Sequence, residues 1–185
     1  MESLAGYGVA AALKDGTPVW VRAIRPGDRG TLSEAFARLS ERSVYHRFFQ
    51  TKQALSAGEL SYLTELDFVR HVGLFVLLGD AGSQELMGVA RFIRLEGRPD
   101  RAEVAFTVGD GYQGRGVGTL LLRHLILLAV RVGIRYFEAD VLADNRAMLR
   151  VFEQSGAGWS ELARDRMIHV TLDLGEFAAA AASGA

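Results

Sequence analysis

Seven consecutive residues, Gln113-Gly114-Arg115-Gly116-Val117-Gly118-Thr119, carry the strongest chemical signal in the chain. Glycines at alternate positions stand between a strand-like run, Ala102 to Val108, and a long apolar run, Leu120 to Val132. Little side-chain bulk at a strand-to-helix junction lets the backbone approach a ligand closely and adopt angles closed to other residues. The first amides of the following helix lack intrahelical partners, and the helix dipole adds partial positive charge there. Such a loop suits a phosphate or pyrophosphate. Glu103 stands in the strand-like run before the loop, where the residues alone favour a structural role. It lies on the strand face opposite Val104 and Phe106, where an exposed glutamate or one paired with Arg101 or Arg91 is expected.

Three nucleotide motifs compete for the loop. A Walker A loop needs Lys followed by Ser or Thr after its last glycine, but Gly116 is followed by Val117 and Gly118. The dinucleotide pattern G-x-G-x-x-G begins at Gly114 and Gly116, then meets Thr119 where its third glycine belongs. The pattern Q/R-x-x-G-x-G/A is satisfied at every fixed position by Gln113, Gly116 and Gly118. That pattern resembles the acyl-CoA pyrophosphate loop of the GNAT acetyltransferase superfamily. A glycine-rich turn without a ligand fits the same residues, so the surrounding elements must decide.

Those elements are legible in order. Residues 1–17 read as a loose lead-in, and Val19 to Ile24 as a first strand. Pro26-Gly27-Asp28 starts a helix, with Asp28 as N-cap and Leu32, Phe36 and Leu39 on its buried face. Ser40 to Phe49 reads as a second helix, and Ser56-Ala57-Gly58-Glu59 has the spacing of a capping box opening a third. Runs at 72–78, 86–95 and 102–108, divided by glycine-containing turns, predict an antiparallel meander. A helix from about Gly116 to Val132, capped by Gly133, leads to a strand at Tyr136 to Leu142, and a right-handed crossover would make the flanking strands parallel. Asn145 to Ser155 is a further helix, for which Asp144 and Asn145 are equally good caps. Trp159 to Leu162 and Met167 to Leu174 read as a closing hairpin, and the alanine-rich tail, 175–185, is expected to fray.

Composition narrows the function classes. The 185 residues, 49% apolar and 23% charged with net charge −1, suit one globular domain over 18–174. No basic stripe points to nucleic acid. The absence of cysteine excludes a thiol nucleophile and agrees with a reducing, cytoplasmic setting. His46, His71, His124 and His169 lack metal-ligand spacing and read as surface or packing residues. No run is long enough to cross a bilayer, and none reads as a signal peptide.

The element order over about 18–174 resembles the whole GNAT fold. That is an α+β architecture with a mixed, mostly antiparallel sheet, whose parallel pair is splayed at the acetyl-CoA site. The segments 39–49, 102–108 and 145–149 further resemble the GNAT domains of bacterial protein-lysine acetyltransferases acting on acyl-CoA synthetases. The resemblance implies that acetyl-CoA is the acyl donor and that no metal is needed. Gln113 to Thr119 would hold the pyrophosphate through backbone amides, with Arg115 an added charge, and Asn145 would contact the pantetheine or phosphate part. It implies that Glu103 is the general base, directly or through water, and that an amide near Val108 or Gly109 polarises the thioester carbonyl. An acyl-CoA synthetase is the implied protein partner; a small amine, or a non-catalytic acyl-CoA-binding role, are the alternatives. Regulatory domains found beside some such GNAT domains are not expected here. One departure is Phe152, which stands where many GNAT enzymes have a tyrosine proposed to protonate the leaving thiolate.

Overall fold

The computed structural model describes residues 4–183. Eight strands form one sheet: β1 Gly8–Ala12, β2 Pro18–Ala23, β3 His71–Leu78, β4 Leu86–Leu95, β5 Arg98–Val108, β6 Tyr136–Leu142, β7 Gly158–Arg164 and β8 Met167–Asp173. Their spatial order is β1-β2-β3-β4-β5-β6-β8-β7. Helices α1 Arg29–Ala37, α2 Glu41–Phe48 and α3 Ala57–Thr64 lie between β2 and β3 in the chain. Helix α4 Val117–Arg131 joins β5 to β6, α5 Arg146–Glu153 joins β6 to β7, and α6 Gly175–Ser183 follows β8. All neighbouring strands are antiparallel except β5 and β6, which are parallel as the crossover predicts.

Alternation along the strands builds a core on each side of the sheet. On β3, Val72, Leu74 and Val76 join the core that contains α4, while Phe75 and Leu77 join the one that contains α1 to α3. This two-sided burial is why 72–78 is apolar throughout rather than alternating. Helix α4 buries Leu121, Leu122, Leu125, Ile126 and Leu128 and leaves Leu127 exposed. Each buried leucine or isoleucine contributes about 1.5–3 kcal/mol relative to exposure. The Ser56 capping box forms as expected: Glu59 N donates to Ser56 Oγ at 3.2 Å, and Ser56 N donates to Glu59 Oε2 at 2.8 Å.

Three local expectations need correction. Asp28 does not cap α1 through its side chain. Its carboxylate instead accepts from both Nη atoms of buried Arg22, at 2.7 and 2.8 Å, and from Arg25 N at 2.7 Å. Charge-assisted bonds to a buried cation outweigh a single cap bond. Part of the expected loose lead-in is strand β1, paired with β2 from Gly8–Arg22 to Ala12–Pro18. Its alanines and glycine carry weak strand propensity, but a Cβ at Gly8 would lie 3.1 Å from the Trp20 ring, so pairing here favours glycine. The alanine-rich tail forms α6 through Ser183, with Phe177 packed against the core. Alanine is the best helix former once one face has something to rest on.

The feature that positions the site is the short parallel ladder. Pairing of β5 with β6 covers Arg101–Tyr136, Ala102–Phe137 and Glu103–Glu138 and stops there, while β5 continues to Val108 and β6 to Leu142. Buried Glu138, in the last pair of the ladder, accepts from Arg101 at 2.8 Å and Arg98 at 3.1 Å. Beyond that pair the strands part.

Candidate active site

The parted strands open a groove of about 1090 Å³ that runs between α2, the glycine loop and the start of α5. Glu103, Val108, Gln113, Gly114, Arg115, Gly116, Val117, Gly118, Thr119 and Asn145 all line it. Residues chosen from separate parts of the sequence thus meet in one place.

The glycines do two different jobs. Gly114 and Gly116 have φ of +75° and +89°, and Gly116 is the N-cap of α4. A side chain at either position would strain the turn. Gly118 is needed for packing, because a Cβ there would lie 3.3 Å from Val151 on α5. Leu120 N is the first α4 amide with a backbone acceptor, Gly116 O at 3.0 Å. The N–H groups of Val117, Gly118 and Thr119 have no acceptor among the described residues and stand at the positive end of the helix. Such a helix end suits an anionic group.

Of the two amides expected to face a thioester carbonyl, Gly109 N is taken, donating to Met87 O at 2.9 Å. Successive N–H groups on a strand point to opposite edges, so Val108 N–H is directed into the splay. The side chains of Gln113 and Arg115 are engaged elsewhere. Gln113 Nε2 donates to Val108 O at 3.2 Å and Ser43 Oγ at 3.1 Å, tying the loop to β5 and α2. Arg115 donates to Asp15 at 3.1 Å and Thr17 Oγ1 at 2.8 Å, tying it to the β1–β2 turn. Bonds from Thr17 and Arg115 pull the Asp15 carboxyl down to about 2.

This tie brings Lys14 to the edge of the groove beside Gly116. Sequence reading missed it, because nothing in 1–17 signals a hairpin folded against the loop. His46 also lines the groove. Helix α2 bridges the groove: Asp110 accepts from Ser40 Oγ at 2.8 Å and Ser43 Oγ at 2.7 Å on one side, and His46 Nε2 lies 3.3 Å from Asp144 on the other.

Glu103 is exposed in the groove and has no hydrogen bond or ion pair among the described residues. The two arginines expected beside it have other partners, Arg101 on Glu138 and Arg91 on His71, while Arg47 is close enough for the charges to interact but forms no ion pair with it. Asn145 caps α5, its Oδ1 accepting from Met148 N at 3.2 Å, and its side-chain amide has no acceptor among the described residues. Phe152 is 1% exposed and packs edge-on against Phe106. No group of three or more His, Cys, Asp or Glu residues among the described residues is placed to hold a metal ion. No helix there is long and apolar enough to cross a membrane.

Comparison with known proteins agrees with this architecture. The profile of the Acetyltransferase (GNAT) family matches residues 39–157, and the chain belongs to that family. It is 36% identical to Acetyltransferase Pat of Mycolicibacterium smegmatis over 151 residues, 82% of this chain and 44% of that protein. It is 32% identical to Acetyltransferase PA5475 of Pseudomonas aeruginosa, covering 74% of this chain and 73% of the relative. The chain thus spans less than half the length of Pat. Among solved structures, the GNAT domain of S. lividans PAT superposes with a TM-score of 0.81 at 35% identity, over 90% of this chain and 96% of that one. The structure of yncA from Salmonella typhimurium with its cofactor acetyl-CoA shares the fold, with a TM-score of 0.67 at 19% identity, over 84% of this chain and 94% of that one.

Proposed function

We propose that the chain transfers an acetyl group from acetyl-CoA directly to an amine, and that the amine is a lysine side chain of an acyl-CoA synthetase. The observation that carries acyl transfer is the free carboxylate of Glu103 in the same groove as the unpaired α4 amides. A lysine ammonium, which ordinarily titrates near pH 10.4, must lose a proton before it attacks, and that value is about 3 units above neutrality. Glu103 takes that proton, directly or through one water. The amine nitrogen then bonds to the thioester carbonyl carbon, Val108 N–H stabilises the oxyanion, the nitrogen gives its second proton to solvent, and the carbon–sulfur bond breaks. The thiolate leaves unaided by Phe152, since a thiol of pKa about 8.5 is an adequate leaving group. Val117 to Thr119 hold the pyrophosphate, Lys14 adds a charge contact, and the Asn145 amide contacts the pantetheine arm.

The protein acceptor rests on the resemblance at 39–49, 102–108 and 145–149 and on the similarity to Pat. The helix surface supports it. Tyr45 and Phe49, each 44% exposed, stand with exposed Arg42 on and just after α2, and Arg42 and Phe49 border the groove. Aromatic residues and arginine are favoured at protein contacts. Phe48 and Arg47 turn inward, with Phe48 against Phe36 and the Arg47 guanidinium over the Phe48 ring.

Incubation with acetyl-CoA and either acyl-CoA synthetases or a panel of polyamines, amino acids and aminoglycosides separates the acceptors. Mass spectrometry should find one acetylated synthetase lysine, weakened by combined Tyr45→Ala and Phe49→Ala while CoA still binds. Turnover of a panel amine with no labelled synthetase contradicts the protein acceptor.

A further inference from the structure

Beside the groove, on the sheet face beneath α1 to α3, lies a second cavity of about 210 Å³. Its walls are mostly apolar, with Phe36, Phe48, Leu55 and Leu63 on the helix side. Two arginines, Arg91 and Arg47, also line it, together with the exposed Arg38. Arg91 is 3% exposed, and the only hydrogen bond of its side chain among the described residues is with His71 Nε2 at 3.2 Å. Neither Arg91 nor Arg47 has an ion pair among the described residues.

The same sheet supplies a control. Arg22, on β2, is buried as deeply, and Asp28 grips both of its Nη atoms. A buried cation left without an anion is costly, which is why such groups are normally paired. The carboxylates near the second cavity do not fill the gap. Asp110 is committed to Ser40 and Ser43, and Glu103, though close enough to favour the charge on Arg47, forms no ion pair with it. Burial and the neighbouring Arg47 charge hold Arg91 down to about 9. An arriving anion would relieve both effects.

We propose that this cavity is a subsite for a carboxylate on a short apolar stem, held by Arg91 and Arg47 and delivered by the acyl group or by the acceptor amine. The proposal deepens the acyl-transfer reading and rests on it for what brings the anion in. The cavity and the groove share Arg47, Ala105, Thr107, Asp110 and Tyr112, so they are contiguous. Arg91 stands opposite Ala105, and Gly88 opposite Val108. Three residues along a strand separate the reacting carbonyl from the guanidinium register by about 10 Å. Apolar walls suit the stem, and paired guanidiniums suit the planar carboxylate.

Two readouts test the idea. In the first, the 15N-labelled full chain is titrated with glutarate and, separately, with neutral glutaramide, following the arginine Nε–H signals. Glutarate should shift Arg91 and Arg47 saturably and glutaramide should not; no shift, or equal shifts, overturns the subsite. In the second, kcat/KM is compared in two arms. One arm sets succinyl-CoA against butyryl-CoA, and the other sets an α-amino acid against its carboxamide with acetyl-CoA. The carboxylate-bearing member should win in one arm by about ten- to a hundredfold, and Arg91→Gln should remove that ratio. If Arg91→Gln fails to fold, Arg47→Gln is read instead. Glutarate binding with equal rates in both arms severs the subsite from acyl transfer and overturns the proposal. Failure to turn over any pair contradicts the acyl-transfer reading, while the titration alone then decides the subsite.

Discussion

The groove and the cavity beside it are both suited to anions, by opposite means. The groove of about 1090 Å³ offers three free amides at the start of α4, partial charges already fixed by the backbone. The cavity of about 210 Å³ offers whole charges, on arginines set among phenylalanine and leucine. Amide recognition needs no buried ion, only glycines where φ is positive. Guanidinium recognition must bear the desolvation of the arginines until a partner arrives. The first can hold a cofactor common to a whole family, and the second suits discrimination among substrates.

The largest expected effect separates chemistry from binding within the groove. Glu103→Gln should lower turnover by about 10² to 10⁴ while CoA affinity stays close to the wild type. The deficit should shrink at high pH, where more acceptor amine is already neutral. A near-normal rate at neutral pH would leave Glu103 with no part in proton transfer.

Next comes the helix start. Gly118→Asp places a carboxylate against the phosphates and should abolish CoA binding in a calorimetric titration. Both it and Gly118→Asn crowd Val151, so Gly118→Asn separates crowding from charge. Asn should weaken binding at least tenfold less than Asp; equal losses would mean that Gly118 matters only for the contact of α4 with α5. Lys14→Glu should have a smaller effect, raising the dissociation constant of CoA about tenfold at low salt and less as salt is added. An unchanged constant would remove Lys14 from the phosphate site.

The smallest effect tests the cavity wall. Burial first, and then the Arg91 charge, hold His71 down to about 4 from 6.5. Between those values the unfolded chain binds a proton that the folded chain refuses, so stability falls as pH drops from about 6.5 to 4. Above 6.5 the group contributes nothing. His71→Gln, which keeps an acceptor for Arg91, should flatten this part of the urea-midpoint profile. An unaltered slope would show that His71 is not held neutral beside Arg91.

The candidate residues that line the groove were legible in the sequence because their spacing is local. The spacing of Gln113, Gly116 and Gly118 marks a strand–loop–helix junction, and the alternation of 102–108 fixes the face of Glu103. Sequence reading missed Lys14 because the β1–β2 hairpin is built from glycine and alanine and is placed by Arg115 gripping Asp15 and Thr17, far away in the chain. It misjudged Asp28 because capping rules are local, whereas Arg22 arrives from the neighbouring strand. The cavity was illegible for the same reason. That Arg91 is buried without a carboxylate depends on which partners the fold gives to Arg101, Glu138 and Asp110, and no window of sequence shows that.

The most direct test of the central claim is thermal unfolding of the wild type and Gly118→Asp with acetyl-CoA, NAD and ATP, each given at the same concentration. At acetyl-CoA a hundred times its dissociation constant, the wild type should gain about 2.7 kcal/mol, NAD and ATP should add much less, and Gly118→Asp should gain nothing from acetyl-CoA. Equal stabilisation of the variant by acetyl-CoA, or of the wild type by NAD or ATP, would contradict the assignment of this groove to acyl-CoA.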